Sequence, residues 1–126
     1  MEFLETELVL AIHDAQIAQY GGLGGVRDNG LLDSALARPQ NVYAYGNDDL
    51  YAMAASLAYG IARNHPFLDG NKRTALHSAL IFLGLNGAGV PEPSTAMVET
   101  MVQLAEGQIS EADFAHWLAA QSAQAA

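Results

Sequence analysis

The sequence predicts an all-α fold, a bundle of about six helices with a small flap or hairpin. Three observations lead to this fold class. Apolar residues recur at helical spacing in several segments, for example at Met53, Leu57 and Ile61. Glycine, proline or Asn-Gly breaks separate these segments, and none shows the alternation of a long strand. The 126 residues are enough for one buried core, so we expect a single domain over residues 1–126.

Each predicted helix has a recognisable start or stop signal. The second should have Asp28 or Asn29 near its N-cap and should end before Pro39. The third should start at Asp48 or Asp49 and end near His65, because the residue before a proline avoids helical geometry. The fourth is apolar almost all round after its first turn, which predicts a buried, central position. The remaining predicted helices cover residues 2–19, about 94–105 and about 111–121, the last with Ser110 and Asp113 as a weak capping box.

Composition and charge exclude several classes of function. The formal net charge is -9 with only five lysines and arginines, so the chain lacks the basic surface that binding to DNA or RNA requires. No apolar run approaches the roughly 20 residues of a membrane span. The N-terminal residues carry no early positive charge, unlike a secretory signal. We therefore expect a cytoplasmic protein without a membrane partner. Because cysteine is absent, neither disulfides nor thiolate metal sites can form.

The segment with the most chemical information is residues 65–73, His-Pro-Phe-Leu-Asp-Gly-Asn-Lys-Arg. A loop ends at Gly70 and a helix begins near Asn71, so the unpaired N–H groups of the first helical turn point back towards the loop. Together with the helix dipole, these N–H groups form a site suited to an anion.

Lys72 and Arg73 are unusual in this first turn. An exposed cation at a helix N-terminus destabilises the helix by roughly 0.3–1 kcal/mol. A bound polyanion such as a triphosphate would reverse the sign of this effect. Asp69 then suits Mg²⁺, which usually binds one or two carboxylates plus substrate phosphates. His65 adds a base for proton transfer near neutral pH.

These nine residues resemble the Fic motif, which reads His-Pro-Phe, any residue, an acid, Gly-Asn, a further residue that is often glycine, then Arg. Lysine in the eighth place, here Lys72, is typical of the Doc (death-on-curing) branch of this family. The pair His13-Asp14 and the residues from Tyr20 to Gly22 also resemble Doc proteins, as does the segment 27–39. The resemblance therefore extends over about residues 12–87.

The resemblance implies a role for each residue of the motif. His65 would be the general base that takes the proton from a hydroxyl of the target. Asp69 would bind the magnesium ion that bridges the nucleotide phosphates. Gly70 and Asn71 would supply the phosphate-binding turn, and Lys72 and Arg73 would hold phosphate oxygens.

The same resemblance implies the toxin of a type II toxin–antitoxin system. Doc proteins would transfer the γ-phosphate of ATP to a Ser or Thr hydroxyl of a protein target, expected to be elongation factor Tu, and so arrest translation. A cognate antitoxin would inhibit the enzyme in trans. The alternative is the AMP transfer of most Fic enzymes. Lys72 favours the kinase, because a long cationic side chain replaces a small glycine and crowds one phosphate pocket. A Fic-fold protein that acts only by binding a partner is the non-enzymatic alternative.

Three other patterns suggest interpretations of their own. His13-Asp14 fits a metal-dependent HD phosphohydrolase, but His77 and His116 lie in no matching dyad, so we expect a helix-surface or hydrogen-bonded histidine. The glycine-rich residues 21–25 lack the Gly-Lys-Ser/Thr of a nucleotide-binding loop, and in Fic-fold proteins this region forms a flap that docks the target chain. Thr95 to Glu99 has the spacing of a Fic inhibitory motif but not its next residue, so we expect no internal inhibitor.

Overall fold

A computed structural model describes residues 1–125, and within them the chain forms six helices and no strands. The predicted all-α fold is therefore confirmed. The helices are α1 (Thr6–Tyr20), α2 (Asn29–Ala44), α3 (Leu50–Asn64), α4 (Asn71–Leu85), α5 (Thr95–Ala105) and α6 (Glu111–Ala125).

Helices α3 and α4 lie at the centre of the bundle. Helix α3 packs against α2, α4, α5 and α6, while α4 also contacts α1 and α5. The central position predicted for α4 is confirmed, since residues on several sides of it are buried. The largest fully buried side chains come from the loop before α4 and from five of the helices, among them Leu32, Met53, Leu57, Phe67, Leu76, Phe82, Met101 and Phe114.

Side-chain caps start four of the helices, and three of them lie at residues that the sequence indicates. Asp28 accepts a hydrogen bond from the Leu31 N–H, and Asp49 accepts from the N–H groups that open α3. Ser94 accepts from the Met97 N–H. Ser110 and Asp113 form the reciprocal capping box, with the Asp113 N–H 3.0 Å from Ser110 Oγ and the Ser110 N–H 3.3 Å from Asp113 Oδ2. These bonds satisfy N–H groups that helix geometry leaves free.

Three predicted helix boundaries are wrong. Helix α1 begins at Thr6 instead of Glu2, because the backbone of Glu2 binds the side chain of Asn86 at the end of α4. Helix α2 continues through Pro39 to Ala44. Proline removes one helical hydrogen bond, but here the Pro39 ring is buried and this packing offsets the loss. Helix α6 extends past the predicted end at Gln121 to Ala125.

The expected hairpin is replaced by a simpler element. Residues 21–28, which we call the flap loop, cross beside the turn that joins α3 and α4. Within the described residues their β-structure is limited to an isolated antiparallel bridge between Val26 and Phe67. The flap loop is thus fastened to the turn and does not pair with itself.

None of the helices within residues 1–125 has the length and apolar character needed to cross a membrane.

Candidate active site

The turn between α3 and α4, residues 65–70, carries the predicted site. Its two ends have left-handed backbone conformations: His65 has φ 51° and ψ 57°, and Gly70 has φ 78° and ψ 17°. Among the described residues, His65 is the only one other than glycine with a positive φ. The expectation that the residue before Pro66 leaves helical geometry is confirmed, and the left-handed form that it takes is strained for a histidine.

The site residues predicted from the sequence lie together. They line one pocket of about 290 Å³ at the start of α4, namely His65, Asp69, Gly70, Asn71, Lys72 and Arg73, joined by Leu68. The pocket brings an imidazole, a carboxylate and two cations to the N-terminal end of one helix. Gly70 offers no side chain to cap α4, so the N–H groups of the first turn remain available to a ligand.

Asn71 acts on the turn through its side chain. Its side chain is buried, and its amide bonds both the N–H and the carbonyl of Phe67, each at 3.0 Å. Its Nδ2 also lies 3.4 Å from Nδ1 of His65, and because an amide nitrogen only donates, Nδ1 is the acceptor in this long contact. Asn71 therefore shapes the turn with its side chain, and only its backbone can meet a phosphate.

His13 supports the turn from α1, a contact that the sequence did not predict. Its ring is buried and lies flat on Phe67, with centroids 3.9 Å apart and planes 7° apart. Its Nε2 lies 2.8 Å from the Asp69 carbonyl, and because a carbonyl only accepts, Nε2 carries the proton. The sequence suggested a hydrogen-bonded histidine here but could not show that its partner is the site itself.

The HD phosphohydrolase interpretation gains no support from this geometry. Asp14 is 83% exposed, whereas His13 is turned inwards to Phe67 and Asp69. Residues 1–125 hold no cluster of three or more histidines or acids that could form a metal site by themselves.

The flap loop holds the other side of the turn. The Leu23 N–H donates to Oδ2 of Asp69 at 2.7 Å, and the Leu68 N–H donates to the Gly25 carbonyl at 3.3 Å. Gly22 has φ 113°, and a Cβ at this position would lie 3.1 Å from the Asp69 Cβ. A residue with a side chain is therefore disfavoured at Gly22 by both conformation and space.

Lys72 and Arg73 stand half-buried at the start of α4 without an acidic partner within the described residues. The guanidinium carbon of Arg73 lies 3.8 Å from the centre of the Tyr20 ring, a cation–π contact. This contact holds Arg73 without neutralising its charge.

Arg73 also lines a second cavity, which has a volume of about 600 Å³. Tyr20, Arg73 and His77 line it together with the start of α5. Burial lowers the pKa of His77 below its ordinary value of 6.5, and the nearby charge of Arg73 lowers it further. The neutral imidazole of His77 is thus favoured beside a charged arginine.

Comparison with known proteins assigns a family to this site. The model of the Fic/DOC family matches residues 3–83. The protein kinase doc of Escherichia phage P1 is 40% identical over 119 residues, which cover 94% of each chain. The toxin Doc of Mycolicibacterium smegmatis is 48% identical over 89 residues, which cover 68% of this chain and 65% of that protein. The chain, whose six predicted site residues lie together at the start of α4, belongs to the Fic/DOC family.

Proposed function

We propose that this protein is a toxin that acts as a protein kinase, transferring the γ-phosphate of ATP to a Ser or Thr hydroxyl of a protein target. The observation that carries the proposal is the single pocket that holds the His65 imidazole, the Asp69 carboxylate and two cations that have no acidic partner within residues 1–125. Similarity to a relative named a protein kinase and to one named a toxin supports the same reaction and biological role.

His65 is the proposed general base. It is exposed at the rim of the pocket, so a hydroxyl of a large target can reach its ring. Proton transfer to a positioned histidine typically contributes roughly 100- to 10,000-fold to a reaction rate. In this proposal, the proton of the target hydroxyl moves to the imidazole as the oxygen attacks the phosphorus.

The residues of the turn fit a magnesium-bound triphosphate. Asp69 is exposed, and one of its oxygens accepts a hydrogen bond from the Leu23 N–H, which orients the carboxylate. Mg²⁺ commonly uses a carboxylate of this kind, with phosphates and water as the other ligands. When bound, the nucleotide would supply the phosphoryl group and ADP would leave. The chain would contribute the N–H groups of α4 and the charges of Lys72 and Arg73 to the phosphate oxygens.

Lys72 supports phosphate transfer over AMP transfer. Its side chain lines the phosphate pocket, where a glycine would leave the space open. We infer that the ammonium group narrows this pocket and pairs with the terminal phosphate, so that the γ-phosphorus is presented to the target.

The proposed target is elongation factor Tu, with translation arrest in the cytoplasm as the result, and the proposed inhibitor is an antitoxin that binds in trans. Both come from the family resemblance. The flap loop is compatible with docking of a target chain, because Leu23 is 66% exposed beside Asp69. An extended target segment at this edge would bring its hydroxyl towards His65.

The test uses ATP labelled at either the γ or the α phosphate, with purified elongation factor Tu and, in parallel, a bacterial cell extract. Label from the γ position should appear on a protein, and mass spectrometry should find one added phosphate on Ser or Thr. Label from the α position would instead identify an AMP transferase.

Two variants complete the experiment. His65→Ala should remove transfer and toxicity while circular dichroism shows an unchanged fold. Unchanged toxicity in this variant would favour a protein that acts by binding alone. Lys72→Gly should weaken γ transfer or increase α transfer, and identical transfer in this variant would remove Lys72 as the discriminating residue.

A further inference from the structure

Arg27 reaches the proposed general base from a distant part of the chain. Its side chain uses two N–H groups on successive carbonyls: Nε lies 2.7 Å from the His65 carbonyl, and a terminal nitrogen lies 2.8 Å from the Asn64 carbonyl. The backbone N–H groups of Arg27 and Asp28 both donate to the Pro66 carbonyl, at 2.7 and 3.1 Å. Three consecutive carbonyls around His65 are thus bound by two adjacent residues of the flap loop.

These bonds lie at the C-terminal end of α3, at unpaired carbonyls and a left-handed residue. Asn64 ends α3, and the last carbonyls of a helix lack partners within the helix. A cation is favourable at this end because the helix dipole is negative there. The next residue, His65, has the left-handed conformation of the turn, and it also precedes a proline. A conformation of this kind persists only where its surroundings hold it in place.

We propose that Arg27 is a positioning residue, which holds the backbone of His65 in its left-handed conformation and so aims the imidazole into the pocket. The guanidinium does not line that pocket, and its contacts are with backbone carbonyls. Within the described residues, the Arg27 side chain bonds the backbone of Asn64 and His65 and makes no hydrogen bond to the first turn of α4.

This inference rests on the proposed function for its kinetic consequence, and it separates two kinetic constants. Arg27→Ala should lower kcat for γ-phosphate transfer roughly 10- to 100-fold, the size of effect that a small misplacement of a catalytic group produces. The apparent KM for ATP should not change, since Lys72, Arg73 and the α4 N-terminus remain in place. Partial unfolding would also lower the apparent kcat without changing KM, so kcat is expressed per folded molecule, with the folded fraction measured by circular dichroism.

Arg63→Ala is the matched control. Arg63 is another exposed arginine near the end of α3, and it donates to the Ala105 carbonyl at 3.2 Å without touching His65. Its removal takes away the same charge from the same region. Two further measurements guard against misfolding of Arg27→Ala. Arg27→Lys keeps the positive charge but loses the planar guanidinium with its paired donors. Its kcat should fall between those of the wild type and Arg27→Ala. Added guanidinium ion at a non-denaturing concentration should partly restore kcat in Arg27→Ala only.

A measurement independent of transfer separates this inference from the proposed function. The backbone chemical shifts of His65 by NMR should indicate a left-handed residue in the wild type and in Arg63→Ala, and a different conformation in Arg27→Ala. Wild-type kcat in Arg27→Ala, or unchanged His65 shifts, would overturn the positioning role. If the wild type transfers no γ-phosphate but the His65 shifts change as expected, the proposed function fails and the positioning of His65 by Arg27 stands.

Discussion

Arg27, Arg38 and Arg63 each donate hydrogen bonds to protein oxygens, whereas Lys72 and Arg73 have no hydrogen-bond acceptor within the described residues. These are all five basic residues of the chain. The acceptors of the first group are the carbonyls of Asn64 and His65 for Arg27, the Ser56 carbonyl and the Glu111 carboxylate for Arg38, and the Ala105 carbonyl for Arg63.

This difference in hydrogen bonding separates the arginines that hold the helices together from the cations of the candidate active site. Arg38 joins α2 to α3 and α6, and Arg63 joins α3 to the end of α5. Both guanidinium groups therefore donate to oxygens of the protein itself. Lys72 and Arg73 lie in the first turn of α4, at the N-terminal end, where the positive end of the helix dipole repels a cation. The helix dipole disfavours cations in this place, and the contact of Arg73 with Tyr20 does not neutralise its charge. An anionic ligand would neutralise both charges, which is the physical reason to regard the second group as functional.

Of the variants that test this division, Arg73→Ala should show the largest loss of phosphate transfer. Loss of this charge should reduce γ-phosphate transfer roughly 100- to 1,000-fold, as removal of a preorganised donor to developing charge typically does. The free energy of unfolding should stay the same or rise by roughly 0.3–1 kcal/mol, because an unfavourable cation leaves the helix N-terminus. Transfer assays and urea unfolding measure the two effects.

Arg73→Lys is the informative control, since it keeps the charge and loses the planar fork. It should retain part of the activity. A clear loss of stability in Arg73→Ala would contradict the division, because it would place Arg73 with the scaffold arginines, held there by its contact with Tyr20.

Removal of the Arg38 side chain should lower stability and leave phosphate transfer unchanged. Arg38→Ala should lower the free energy of unfolding by about 2 kcal/mol, because its bonds to Ser56 and Glu111 are both lost. The stem of Arg38 also packs over Gly60, where an added Cβ would lie 2.7 Å from the Arg38 Cδ. Urea unfolding should show this loss, while transfer per folded molecule stays at the wild-type level.

Arg63→Ala serves again as the comparison, because Arg63 makes a single, longer bond at 3.2 Å. Its effect on stability should be smaller than that of Arg38→Ala. If Arg38→Ala kept full stability but lost transfer, the assignment of Arg38 to the scaffold would be wrong.

The same division shows what the sequence could predict. The site was visible because residues 65–73 are contiguous, and two cations in the first turn of α4 conflict with a local rule. Helix caps at Asp28, Asp49 and Ser110 were visible for the same reason, as each acts within three residues. A single sequence therefore predicts best the interactions between residues that are close together along the chain.

Contacts between distant residues could not be predicted in this way. Arg27 is 38 positions from His65 and His13 is 56 positions from Asp69, and no local pattern links them. The course of α2 through Pro39 was missed because burial of the ring outweighed the local rule for proline. In each case tertiary packing decided the structure.

The smallest predicted effect is on His77, which should sense the charge of Arg73. Burial is the larger cause of its lowered pKa and Arg73 the second, so Arg73→Ala should raise this pKa but leave it below 6.5. Between 6.5 and the lower folded value, the unfolded chain binds more protons, so the stability that neutral His77 contributes is lost as the pH falls through that window. The variant should lose less stability there, by under about 1.4 kcal/mol for a change below one pKa unit.

NMR titration of the His77 ring measures this effect directly. Lys72→Ala is the control, since Arg73 is the charge that lowers the His77 pKa, and it should leave the titration unchanged. Inorganic tripolyphosphate should raise the His77 pKa in the wild type, because a bound polyanion opposes the field of Arg73. An identical His77 pKa in the wild type and Arg73→Ala would mean that a protein group already neutralises Arg73, and the contrast between the two groups of cations would then no longer hold.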